Sequence, residues 1–152
     1  MKITSKIRFF LIVFALFSLS IAPVASAQTV SNAYISAAGA VVTPGGNGVI
    51  YVDFTVLATG TMDKVGVSII NIFTTEDDVI GDSDDYIVKT FFYTDSPSIT
   101  EQMMATDDIS LVSYVEYSGV SGQKYYAKMT FYAENKDGFG TMSYTTKIAT
   151  AK

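Results

Sequence analysis

Between Val49 and Val56 the chain alternates strictly: Ile50, Val52, Phe54 and Val56 fall on one side of an extended backbone, and Tyr51, Asp53 and Thr55 on the other. A period of two is the repeat of a strand half buried in a core, not of a helix. A dense turn signal, Thr43-Pro44-Gly45-Gly46-Asn47-Gly48, separates this strand from a first one near Ala33 to Val42. Val65, Val67, Ile69, Asn71 and Phe73 alternate in the next strand, and Ile70 and Ile72 make its other side apolar too, which suits a central position. Further strands are expected at Tyr86 to Tyr93 and at Ile109 to Tyr117, where Ile109, Leu111, Val115 and Tyr117 share a face. In Lys124 to Glu134, Tyr125, Ala127, Met129, Phe131 and Ala133 point inward, and the Asp-Gly of Asn135-Lys136-Asp137-Gly138 marks a hairpin before a last strand at Thr141 to Ile148. Only Ser98 to Thr106 admits a helical turn, with Ser98 and Glu101 as an S-x-x-E capping box; a crossover loop is the alternative. About seven strands with regular turn signals predict one all-β domain, an antiparallel sandwich or barrel.

The first 27 residues follow a different logic. Lys2, Lys6 and Arg8 precede an apolar run from Phe9 to Leu19, and Ala25-Ser26-Ala27 offers small residues at the positions signal peptidase reads. This is the three-part pattern of a cleavable signal peptide. The apolar core is shorter than the roughly 18 residues that span a bilayer, so contact with the membrane is expected only in passing, through that peptide. The expected organisation is a signal peptide over residues 1–27 and a β-domain over residues 28–152. The expected location is outside the cell, or the periplasm if the host has two membranes.

Composition narrows the chemistry. The leader holds the chain's one arginine and two of its lysines, so residues 28–152 carry seven lysines against fifteen acids, a formal charge of −8. An acidic surface without arginine repels phosphate backbones and anionic headgroups, and no nucleic-acid partner is expected. There is no cysteine and no histidine. An exported domain without disulfides must be held by its core alone. The missing side chains also remove Cys–His and Ser–His–Asp triads and histidine-based zinc sites. Asp107, Asp108 and Glu116 are conceivable carboxylates for acid/base chemistry, but nothing in their spacing brings them together, and no catalytic residue is assigned.

From Gly119 onward, Gly122-Gln123-Lys124-Tyr125-Tyr126, then Phe131-Tyr132-Ala133-Glu134-Asn135, then Gly138-Phe139-Gly140-Thr141-Met142-Ser143, the chain resembles the closing strands of an immunoglobulin-like or fibronectin type III domain. That resemblance implies a β-sandwich of this type and places the family's corner tyrosine, whose hydroxyl tethers the preceding turn, at Tyr125. With its Ala58 to Ile69 segment (ATGTMDKVGVSI), its G-x-x-G-x-x-Y segment and its terminal Ser-Tyr-Thr-Thr, the whole chain is also similar to a group of small secreted bacterial proteins.

Two features could carry binding. Glu76-Asp77-Asp78 and Asp82-Ser83-Asp84-Asp85 put six carboxylates within ten residues. Asp82, Asp84 and Asp85 are candidate ligands for Ca²⁺, which takes six to eight oxygens; the plainer reading is a solvated loop whose like charges guard a sheet edge. On the side of the Lys124–Glu134 strand opposite its apolar run, Tyr126, Lys128 and Tyr132 alternate, and Tyr114 on the preceding strand is a candidate neighbour. A row of tyrosines suits a sugar ring or a protein partner, and equally cross-strand pairing within the sheet. The expected function is that of a secreted, non-enzymatic interaction module for an extracellular protein or glycan, the alternatives being a self-assembling surface subunit and a calcium-dependent carbohydrate-binding domain.

Overall fold

A computed structural model describes residues 33–152; the expected signal peptide and its cleavage point lie outside the described residues. The elements run β1 (Ile35–Pro44), β2 (Val49–Met62), β3 (Lys64–Thr75), β4 (Tyr86–Phe92), α1 (Pro97–Met103), β5 (Met104–Ala105), β6 (Asp108–Ser118), β7 (Lys124–Asn135), β8 (Gly138–Thr145) and β9 (Ala149–Thr150). One sheet has the order β1-β2-β6 and the other β4-β3-β7-β8, with β5 on β3 and β9 on β7. Every pairing is antiparallel. The fold is all-β, two sheets packed face to face around one core.

The core is what the alternation dictates. Ile50, Val52, Phe54 and Val56 from β2 meet Val65, Val67, Ile70 and Ile72 from β3 and Ala127, Met129, Phe131 and Ala133 from β7, all of them buried. Burial of such side chains contributes about 25 cal/mol per Å² removed from water and is the main term holding a disulfide-free sandwich together.

Three sequence expectations are corrected. The inward face of β3 is not a single odd-numbered row. The pairing with β7 slips between Val67 and Ile69, so Ser68 is an extra residue and the core row changes from Val65 and Val67 to Ile70 and Ile72. A bulge of this kind swaps the faces of everything beyond it, which is why Ile69 and Phe73 lie outside. The helix exists over Pro97–Met103, but its cap is Ser96, whose hydroxyl accepts from the Ile99 amide at 3.3 Å, with proline in the first turn. Ser98 instead exchanges a 3.1 Å hydroxyl contact with Ser96. Ile109, expected to share the buried face of β6, is exposed near the start of that strand, where the pairing with β2 is interrupted between Leu57–Ser110 and Met62–Asp108.

At one end of the sandwich the chain's last residues hold two turns together. The Gly48 amide donates to the Lys152 carbonyl at 2.6 Å, the Gly122 amide to that of Ala151 at 2.8 Å, and the Gly119 amide to that of Gly48 at 3.1 Å.

Candidate functional site

The β3–β4 loop, residues 76–85, folds back over the outer face of the four-stranded sheet. Asp77 accepts from the Val79 amide at 2.7 Å and Asp84 from the Glu76 amide at 3.1 Å, so the loop is stiffened by its own carboxylates. Carboxylate oxygens of Asp77, Asp82 and Asp84 lie within 4.8 Å of one another. The hydrogen bond between Asp82 and Asp84 raises the Asp82 carboxyl to about 6, with desolvation and the Asp77 charge adding to it, and the same bond lowers Asp84. Two carboxylates at this distance cannot both ionise at their ordinary cost.

Asp85 has a different task from the one its spacing suggests. Its Oδ2 accepts from the Tyr126 hydroxyl at 2.6 Å and from the Gly81 amide, and these bonds, Tyr126 first, hold its carboxyl below the usual range. Of the three acids singled out as candidate calcium ligands, Asp82 and Asp84 lie close together with Asp77, whereas Asp85 turns to the sheet.

The expected tyrosine row is divided by the fold. Tyr114 is on β6 in the three-stranded sheet, half exposed and edge-on to Tyr51 at 5.6 Å, whereas Tyr126, Lys128 and Tyr132 are on β7 in the other sheet. The Gly119–Gly122 turn carries the chain across the sandwich and does not close a hairpin, so the two strands never become neighbours. Tyr126 is 0% exposed: its ring stacks on Phe73 with centroids 4.9 Å apart and planes at 7°, under the acidic loop. Lys128 lies over the same two rings, 4.8 Å from Phe73 and 5.6 Å from Tyr126, a cation–π contact that keeps its charge near the Asp85 carboxylate.

Tyr132 remains partly open. It stacks on Phe139, centroids 5.9 Å apart, and burial together with a hydrogen bond to Glu134 pushes its hydroxyl up to about 12. Glu134 is in turn paired with Lys64 at 3.2 Å. Register places Phe92, Ile69, Thr130 and Ser143 in one row across β4, β3, β7 and β8, beside the Tyr132–Thr141 row. Phe139 is 64% exposed and Phe92 48%. Neither ring stands out in the sequence, although Phe139 shares the outward parity of Thr141 and Ser143, and that parity is the signal that finds it. The outer face of the four-stranded sheet thus offers exposed rings beside hydroxyl groups.

The conceivable acid/base pair does not form. Asp108 and Glu116 sit eight positions apart on β6, roughly 26 Å at about 3.3 Å per residue, far beyond the carboxyl separations of glycosidases.

Compared with known proteins, the chain matches no family model, no curated protein and no solved structure.

Proposed function

We propose that this chain is a secreted, non-enzymatic interaction module that binds an extracellular protein or glycan through the outer face of β4-β3-β7-β8. The observation that carries the reading is the Tyr132–Phe139 stack, with Phe92 and the hydroxyls of Thr130, Thr141 and Ser143 on the same face. Solvent-exposed rings are retained at a cost in solubility, and rings interleaved with hydroxyls supply both stacking and hydrogen bonds to a partner. The sandwich is of immunoglobulin-like or fibronectin type III architecture on this reading. Two features support it: the three-plus-four division of the long strands, and the Tyr125 hydroxyl accepting from the Val120 amide at 2.9 Å across the turn between sheets.

A glycan array and a cell-surface pull-down, each run with the purified protein and with Phe139→Ala and Tyr132→Ala, test the proposal. Retention that falls at least about tenfold in both variants is expected if these rings anchor the partner. Binding that survives both substitutions, or hydrolysis of a glycan or peptide by the purified protein, would sink it.

A second reading is self-assembly at β4. Among the described residues this strand is paired on one side only; it exposes Tyr86, Ile87 and Phe92 and has Lys89 as its single charge, and such an edge invites another strand. Light scattering across a dilution series separates the two readings, because a monomer at every concentration excludes assembly.

A further inference from the structure

We propose that the outer face of the β1-β2-β6 sheet docks an arginine-bearing segment of a protein partner through Tyr51, Tyr114, Asp53 and Glu116. Antiparallel register sets Asp53 opposite Tyr114 and Tyr51 opposite Glu116, so the two rings occupy one diagonal of a four-residue square and the two carboxylates the other. Directly opposed residues have Cβ atoms about 4.5–5.5 Å apart, which puts the square within reach of a single side chain. The rings meet edge-on, with centroids 5.6 Å apart and planes at 83°, and in such a T one ring keeps both of its faces clear of the other. Tyr114 is exposed, as are Val41 in its cross-strand row and Val112 two positions along its own strand.

Charge selects the partner. Strands β1, β2 and β6 carry Asp53, Asp108 and Glu116 but none of the seven lysines of residues 33–152. An acid on a sheet face gains from a cation opposite it, yet on the β2–β6 ladder a tyrosine stands opposite both Asp53 and Glu116, and neither acid is in an ion pair among the described residues. The Thr43 hydroxyl donates to Asp53 Oδ2 at 2.7 Å, which orients this carboxylate without neutralising it. A planar guanidinium can stack on a tyrosine face and donate in its own plane to a carboxylate at the same time, which a compact ammonium cannot do. Residues 28–152 contain no arginine, so a second copy of the domain does not supply the group. This surface belongs to the other sheet from the Tyr132–Phe139 stack, and the inference is independent of that face.

Fluorescence anisotropy of labelled hexa-arginine and hexa-lysine peptides, titrated with the purified protein at about 0.15 M salt to screen long-range attraction, tests it. Hexa-arginine is expected to bind the more tightly. Tyr114→Leu, which keeps an apolar side chain and removes the ring, should weaken that binding about three- to tenfold, whereas Tyr114→Phe, which keeps the ring, should bind as the parent does. Glu116→Gln should weaken it by about the same factor, while Asp63→Asn, which removes the same charge outside this face, and Phe139→Ala, on the other sheet, leave it unchanged. Circular dichroism confirms that the variants are folded. The proposal is overturned if no binding appears at about 1 mM protein, or if Tyr114→Leu binds as the parent does. It is equally overturned if hexa-lysine binds as tightly as hexa-arginine, or if Asp63→Asn weakens binding as much as Glu116→Gln, since either result marks general charge attraction.

Discussion

The Tyr126 hydroxyl and Asp85 Oδ2 meet at 2.6 Å although 41 positions separate them, and this bond fastens the acidic loop to the sheet where the chain enters β4. Tyr126→Phe keeps the stack on Phe73 and removes only the bond. Amide exchange of the loop, Gly81 above all, is expected to become about tenfold faster, with the strands unchanged. Equal protection in the variant would mean that the loop is held by its internal turns alone.

The Tyr125 tether depends on a glycine. A Cβ on Gly119 would sit 2.7 Å from the Tyr125 hydroxyl oxygen and 2.8 Å from its ring. Tyr125→Phe should cost about 1 kcal/mol, the net worth of one hydrogen bond. Gly119→Ala should cost about 1–3 kcal/mol through overpacking. The double variant should lose less than the two combined, because removing the hydroxyl relieves part of the clash. Urea denaturation of all four proteins measures this coupling, and strict additivity would refute it.

Gly66 lies where β5 crosses β3. An added Cβ would come within 2.0 Å of the Met103 carbonyl oxygen and 2.9 Å of the Met104 Cα, both backbone atoms that cannot rotate aside. Gly66→Ala is expected to destabilise by about 3 kcal/mol or more, at the top of the overpacking range. Gly39→Ala, whose Cβ meets nothing within 4 Å, should stay within about 0.5 kcal/mol. Urea midpoints of the pair decide it.

Alkaline pH should loosen the sandwich. Tyr132 is raised to about 12, chiefly by burial, and Tyr126 is raised by burial and by its bond to Asp85. A tyrosine in the unfolded chain gives up its proton near pH 10, so above that point the folded state holds more protons than the unfolded one. Stability is therefore intact below pH 10 and declines from there toward pH 12. Burial raises Tyr117 as well, so ultraviolet titration should show three tyrosines that ionise later than the rest. Titration of every tyrosine near pH 10 in the folded protein would contradict this.

The strands of the core were legible because one side of each faces apolar neighbours and the other faces water, and Ile50 to Val56 records that division residue by residue. The bulge at Ser68 was not, because Val67-Ser68-Ile69-Ile70 reads equally well with either parity until β7 fixes the register. Tyr126 has the outward parity of an exposed residue, and only a loop folding over it from far upstream removes it from water. Tyr114 and Tyr126 are close in sequence and apart in space because Gly119–Gly122 crosses between sheets. Among the acids, local spacing revealed the cluster but not its membership: Asp77 lies beside Asp82 and Asp84, while Asp85 is taken by Tyr126.

The hydrogen bonds that Lys152 and Ala151 accept from Gly48 and Gly122 also set an order of events. A chain emerging with its amino end first can pair β1 with β2 early, but this pole of the sandwich cannot latch until residue 152 has appeared. Until then the Gly48 and Gly122 amides lack these acceptors, and the two turns are not yet tied together.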